Sequence, residues 1–294
     1  MADNYFVTAV LVSHDGSEWL PEVIAALFAQ SRQIDRIVAV DNGSIDGSDK
    51  LISNAGITLI KSDREAGFGD AVDLALDSTR PITDGKEELI WLLHDDCAPA
   101  RHALANLLES FNNQPLLAMV GPKLRGWRDR NKLLEIGISI AVNGSRWTDL
   151  EPDELDQGQH DSPREVLTVS TAAALVRRKV FEDIGGLDPN LAIFRDDIDL
   201  GWRLRLAGFS IRTAPEAVAF HAEAAANERR SVDVEEAFLH RPHLLDRRNA
   251  GFVVLANVSW WLIPWVTVQL IGTAAIRSIG YLLAKLPGYA ADEI

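Results

Sequence analysis

Trp91-Leu92-Leu93-His94-Asp95-Asp96-Cys97 is the stretch on which the reading of this fold turns. The apolar run Leu89 to Leu93 suits a strand covered on both faces. It delivers a histidine and two adjacent carboxylates to a point where the chain must turn, because Pro99 follows and cannot join a central ladder. Carboxylates are seldom buried unpaired, so acids at the end of such a strand point to a hard cation or to the cap of the next helix. The second reading makes Asp96 the N-cap of a helix near residues 100–112.

Towards the N-terminus, Tyr5 to Ser13 is β-rich and almost wholly apolar, and Ser17 to Gln30 carries Leu20, Ile24 and Leu27 at helical spacing with Pro21 in its first turn. Arg36 to Val40 is a second strand, ending in Asp41-Asn42-Gly43-Ser44. A helix from Asp46-Gly47-Ser48, a strand at Ile57 to Ile60 and a helix at Gly67 to Ser78 follow. This alternation predicts a doubly wound α/β sheet with right-handed crossovers and with ligands at the carboxyl ends of its strands. Asp41 and His94-Asp95-Asp96 both sit at such ends.

Towards the C-terminus, Ala103 to Phe111 reads as helix and Leu116 to Val120 as strand, after which the pattern weakens from Gly121 to Glu165. Within that region Asp149 to Asp161 is acidic and reads as a solvated surface loop. Order returns with the apolar run Val166 to Arg177, the segment Lys179 to Ile184 and a turn at Gly185-Gly186. Helical spacing then resumes through Asp196-Asp197-Ile198-Asp199-Leu200-Gly201-Trp202-Arg203. Three acids in a first turn suit the helix dipole, but one cap suffices, so at least one is expected to act on a ligand, for example as a general base. Trp127 and Trp147 suit packing, and His102, His160, His240 and His243 have no ligand-like spacing.

The 294 residues suit one large α/β unit, and the net charge of -14 argues against a nucleic-acid partner. Cys97, the one cysteine, excludes an internal disulfide and a Cys-based zinc cluster and reads as buried and inert. The acidic start Met1-Ala2-Asp3-Asn4 lacks the basic and apolar regions of a secretory signal, so the catalytic part is expected to face the cytoplasm. From Asn249 to Ile276 no side chain is charged, and this run, which holds Trp260, Trp261 and Trp265, is long enough to span a bilayer. Arg229, Arg230, Arg241, Arg247 and Arg248 precede it and suit the cytoplasmic side. Pro264 leaves a kinked span, a re-entrant hairpin and an interfacial pair of helices open.

In this order the motifs resemble glycosyltransferase family 2. Val10-Leu11-Val12-Ser13-His14-Asp15 is similar to that family's first strand and nucleotide-entry loop, and Asp41-Asn42-Gly43-Ser44-Ile45-Asp46-Gly47-Ser48 to its second-strand motif. His94-Asp95-Asp96 occupies the place of its Asp-x-Asp. Ala172 to Arg178, Gly185-Gly186-Leu187-Asp188 and Asp196 to Arg203 resemble its acceptor and base region, and Pro215 to His221 its closing strand.

The resemblance, over residues 5–222, implies a GT-A type nucleotide-sugar-binding sheet, Rossmann-like and mixed on the acceptor side, with an apolar C-terminal helical segment. It further implies an inverting rhamnosyl or galactofuranosyl type of transferase using a nucleoside diphosphate sugar and a lipid-linked or cell-envelope glycan acceptor. Ser13, Asp15, Asp41, Gly67 and Asp95 would bind the nucleotide sugar. Asp96 and His221, with His94, would hold Mn2+ or Mg2+ against the departing diphosphate. Asp197, with Asp196 in reserve, would take the acceptor proton, and Trp202 and Asp199 would contact the acceptor. His94 stands where many relatives have Asp or Asn, and Thr171 where glycine is common.

The expected organisation is a transferase domain over 1–225, with a nucleotide-binding half to about 122 and an acceptor half from 123, a basic connection over 226–248 and a membrane-associated segment over 249–294 at the cytoplasmic face of the cell membrane. A sugar nucleotidyltransferase would share the sheet and acids, but should carry a Gly-rich basic loop after its first strand, where His14-Asp15-Gly16-Ser17-Glu18 lacks the base. A catalytically silent domain binding a membrane partner is the non-enzyme alternative, against which the presence of both acid clusters speaks.

Overall fold

The computed structural model describes residues 4–82, 85–223 and 242–293. Its first half alternates as expected: β1 (Tyr5–Ser13), α1 (Leu20–Phe28), β2 (Arg36–Asn42), α2 (Ser48–Asn54), β3 (Thr58–Ser62), α3 (Phe68–Asp77) and β4 (Glu87–His94). β1 pairs in parallel with β2 and with β4, and β2 with β3. Ser13 lies opposite Asp41 and Val12 opposite His94, so three strands end along one edge.

Coverage on both faces explains the unbroken apolar runs. Val7, Ala9, Leu11, Trp91 and Leu93 pack with α1, α2 and α4 (Ala103–Glu109). Their neighbours Val10, Val12, Ile90 and Leu92 face α3, α5 (Arg178–Asp183) and α6 (Asp196–Leu206) on the other side.

After β4 the chain turns at Asp95-Asp96 into β5 (Cys97–Pro99). β5 is an edge strand, where proline's missing N–H is tolerated, and it pairs antiparallel with the last strand, β11 (Ser210–His221). The capping alternative for Asp96 is thereby overturned, since His102 is the N-cap of α4.

β6 (Leu117–Gly126) runs beyond the expected Val120 and carries β7 (Leu133–Glu135), while β8 (Ser139–Ile140) and β9 (Arg146–Trp147) form a separate pair. β10 (Leu175–Arg177) inserts antiparallel between β4 and β6, giving the order β3-β2-β1-β4-β10-β6-β11-β5. The apolar run Val166 to Arg177 is thus strand only at its end. Its irregular part still supports β4, because Leu92 and His94 donate their N–H groups to the carbonyls of Ala174 and Ala172.

Two expectations are corrected. The acidic loop 149–161 is anchored rather than simply solvated: buried Lys123 of β6 donates to both carboxylate oxygens of buried Asp156 at 3.0 Å, and Arg125 pairs with the same acid. The charge-free run is also not one element. It divides between α7 (Pro242–Asn257), a 3-10 turn at Trp260–Leu262 and α8 (Ile263–Leu283), which is followed by α9 (Pro287–Ala291). Pro264 falls in the first turn of α8, where proline starts a helix rather than kinking one. The boundary expected at residue 249 lies inside α7, whose Val253 is buried with Ile138, Leu191 and Ile198. Arg229, Arg230, His240 and Arg241 lie outside the described residues.

Candidate active site

Three side chains converge where β4 and β11 end. His94 is the last residue of β4, Asp96 lies in the turn after it, and His221 ends β11, held alongside by its pairing with Cys97. Each offers a ligand atom, and the three atoms lie within 4.8 Å of one another. Asp96 Oδ1 is 3.2 Å from His221 Nε2, and the backbone carbonyl of Asp96 accepts from the N–H of Ala222. Burial opposes protonation of His221, but the Asp96 carboxylate outweighs it and raises the imidazole pKa above its usual value. Cys97, beside this group, is fully buried, and burial pushes its thiol pKa well up, as an inert side chain requires.

Along the neighbouring strand ends lies a second polar group. Ser13 Oγ, Asp41 Oδ1 and Asn42 Oδ1 are buried and have no hydrogen-bond partner among the described residues. The other oxygen of Asp41 accepts from the N–H of Ser44, and Asn42 Nδ2 donates to the carbonyl of Ala66. Unsatisfied buried polar atoms are costly, so three at one sheet edge mark a place built for a polar ligand. Asp95 closes this edge: its Oδ2 accepts from the N–H of His14 at 2.8 Å, an approach that leaves no room for a Cβ at Gly16.

The second acid cluster opens α6 on strained backbone. Phe194 and Arg195 both have positive φ, 62° and 69°. The strain is held from α7: Arg195 makes a two-pronged pair with Asp246 at 2.6 and 2.8 Å, and Asn249 donates to the carbonyl of Ile193 at 2.7 Å. The result aims Asp196 at the first cluster. Its Oδ2 accepts from Thr171 Oγ1 at 3.1 Å, and that hydroxyl is 3.5 Å from His94 Nε2. Burial, aided by the adjacent Asp197 charge, raises the Asp196 pKa to about 7. Asp197 faces a different set: Arg146 lies 3.6 Å from it and is paired with buried Glu135, whose other oxygen accepts from the N–H of Ser170. Burial pushes the Glu135 carboxyl pKa up as well.

A sequence profile described as "Glycosyltransferase like family 2" matches residues 5–237. The chain belongs to this family. The glycosyltransferase is 25% identical over 295 residues to the N-acetylglucosaminyl-diphospho-decaprenol L-rhamnosyltransferase of Mycobacterium tuberculosis, covering 92% of this chain and 90% of the relative. It is also 25% identical to the galactofuranosyltransferase GlfT1 of Mycolicibacterium smegmatis, over 75% of this chain and 72% of that one. Among solved structures, the mannosyltransferase PcManGT of Pyrobaculum calidifontis in complex with GDP-Man and Mn2+ superposes with a TM-score of 0.54 at 17% identity, over 98% of this chain and 85% of that one. The fold is therefore of the GT-A type.

Within the glycosyltransferase the structure redistributes several expected roles. Asp15 is committed to an ion pair with Arg64 at 2.5 Å and accepts from the N–H of Ile45, so it ties loops together at this sheet edge. Gly67 permits close approach of Ala192: a Cβ there would come within 2.7 Å of the Ala192 Cα. Asp199 is spent on Arg203 and on Asn257 of α7, and Trp202 packs with the apolar cluster around Ile198 and Val253. Both side chains therefore have structural partners within the fold. His14 is structural too, with Nδ1–H donating to the carbonyl of Asn42.

Sequence reading missed Glu135, Arg146 and Thr171 as members of the site. Glu135 and Arg146 lie on short strands in the region where periodicity fades, and Arg146 gave no signal beyond its charge. Thr171 was visible as a departure from glycine, and its hydroxyl links the two clusters.

Proposed function

We propose that this glycosyltransferase is a metal-assisted, inverting enzyme that moves a hexosyl or deoxyhexosyl group from a nucleoside diphosphate sugar to a hydroxyl of a lipid-linked or cell-envelope glycan. The membrane's cytoplasmic face is its proposed place of work. The observation that carries the reading is the grouping of His94, Asp96 and His221 with Asp196 reached through Thr171. A leaving-group site and a base are thus combined in one cleft edge. The mycobacterial rhamnosyltransferase, whose name specifies a lipid diphosphate-linked substrate, supports the acceptor class.

The donor set fits a divalent transition ion. Two imidazoles and one carboxylate suit Mn2+ better than Mg2+, which favours oxygen ligands and retains its water. The structurally similar mannosyltransferase PcManGT binds Mn2+ together with GDP-Man, which supports the choice. Bound by His94, Asp96 and His221, the ion would neutralise charge growing on the departing diphosphate.

The chain's own residues supply the rest. Ser13, Asp41 and Asn42 offer their free oxygens to the nucleoside. Asp196, ahead of Asp197, takes the proton of the acceptor hydroxyl, because its pKa near 7 matches the task and Asp197 faces the Arg146 and Glu135 pair instead. The acceptor oxygen bonds to the anomeric carbon from the face opposite the diphosphate as the bond to the phosphate oxygen breaks, so one displacement inverts the centre without a covalent enzyme intermediate.

Release of nucleoside diphosphate from a panel of donor sugars, with Mn2+, with Mg2+ and without metal, tests the reading. Turnover that depends on Mn2+ and vanishes in Asp96→Ala is expected. Intact folding without turnover on any donor, alone or with lipid-linked acceptors, would favour the silent domain.

A further inference from the structure

α8 presents an exposed face that is apolar from end to end. Trp260 and Trp261 in the 3-10 turn that leads into it and Trp265 in its first turn are 78%, 64% and 60% exposed, and Val268, Ile271 and Ile276 continue the surface without a charge. With 21 residues the helix is about 31 Å long, close to the roughly 30 Å of a bilayer's hydrocarbon core. Length and composition therefore permit a span. The contacts of its other face do not.

α8 folds back along α7. Near its C-terminal end, Arg277 pairs with buried Glu293 at 2.8 Å, and Glu293 pairs in turn with Arg247 of α7 at 3.0 Å. Ser278 donates to the carbonyl of Ala290, and the Tyr281 ring meets His243 of α7 edge-on. α7 itself is fastened to the transferase fold along its length, through Asp246, Asn249, Val253 and Asn257. Both ends of α8 are thus beside the catalytic unit. To cross a bilayer, α8 would have to break the Arg277, Glu293 and Arg247 group or carry it into hydrocarbon, and either route is expensive.

We propose that α8 lies in the plane of a lipid bilayer, with its apolar face sunk to the boundary of headgroups and acyl chains and the three tryptophans as interfacial anchors. The proposal rests on the membrane-facing part of the proposed function and specifies how the enzyme sits there. An in-plane α8 also gives α7 a function. Through Asn257 to Asp199 and Asp246 to Arg195, α7 joins the lipid-bound helix directly to the helix bearing Asp196, which keeps the base close to a membrane-held acceptor.

Two cysteine variants of the full chain, Ser259→Cys before α8 and Lys285→Cys after it, test the topology in sealed inside-out vesicles from producing cells. Buried Cys97 serves as the unreactive reference. Both introduced thiols are expected to react with a membrane-impermeant maleimide before detergent is added. Protection of Lys285→Cys until detergent is present overturns the proposal in favour of a span. In a companion flotation with phosphatidylcholine vesicles at high salt, the parent should float, and the triple variant Trp260→Ser, Trp261→Ser, Trp265→Ser should bind roughly tenfold less or weaker while keeping the parent's melting temperature. A folded parent that fails to float also overturns the proposal, above all if light scattering shows a second copy covering the face. Donor turnover in the same samples reports on the transferase reading separately: lost turnover with intact flotation sinks that reading and leaves the in-plane helix standing.

Discussion

Two adjacent carboxylates buried on one turn of α6 have different surroundings: Asp197 faces Arg146 at 3.6 Å, whereas Asp196 receives a hydroxyl from Thr171 and a pKa near 7. The sign of the consequence follows from linkage. A carboxyl whose folded pKa lies above its unfolded value binds an extra proton in the native state, so its stabilising contribution is complete at acid pH and is lost as pH rises through about 7. Asp196→Asn, uncharged throughout, should therefore melt a few degrees above the parent at about pH 8 and show a smaller gap near pH 5, as read by thermal denaturation. The same substitution should lower kcat by about a hundredfold or more, while the parent's kcat rises with pH to a plateau above about 7. A parental rate in Asp196→Asn would remove it as the base. Thr171→Val should leave the metal response intact and shift that pH profile upward, since the Thr171 hydroxyl donates to the carboxylate and holds its pKa down while burial still acts on it; an unchanged profile would confine Thr171 to packing.

At the scale of elements, the strands and helices of the first half were legible because burial on both faces writes itself as uninterrupted apolar residues and because Pro21 and Gly43 punctuate them. The acceptor half was not, for a physical reason. β7, β8 and β9 are two or three residues long, too short for any periodicity, and Lys123, Glu135 and Asp156 are buried polar groups that composition assigns to solvent. α7 misled in the opposite way. Its charge-free residues read as membrane, yet Val253 and Asn257 face α6. The pair of Asp246 with Arg195 should then matter to the fold as well as the site. Asp246→Ala leaves a buried guanidinium beside two positive-φ residues, and is expected to cost about 3 kcal/mol in denaturant unfolding and to lower kcat more than it raises KM. Loss of less than about 0.5 kcal/mol would show that α7 merely rests on the catalytic unit.

Over the whole molecule, the separation of the two half-sites along one sheet edge makes ligand binding divisible. The nucleoside group, Ser13, Asp41 and Asn42, lies at the ends of β1 and β2, whereas the metal group lies where β4 and β11 end. On the proposed function a nucleoside diphosphate would bridge them, its base end at the first and its phosphates at the second. Binding to the native state alone raises stability by about 2.7 kcal/mol at a ligand concentration of 100 Kd, which thermal denaturation resolves easily. In the parent, Mn2+ and a nucleoside diphosphate together should raise the melting temperature by more than the sum of their separate shifts, because each strengthens the other's binding. Asp41→Ala should keep the shift with Mn2+ alone and lose most of the joint excess, since the metal triad is untouched. Asp96→Ala should lose both, because the remaining imidazoles lack the carboxylate that carries the negative charge of the donor set. If instead Asp41→Ala and Asp96→Ala respond identically to all three additions, the two groups belong to one undivided pocket, and the assignment of separate nucleoside and diphosphate ends along the sheet is wrong.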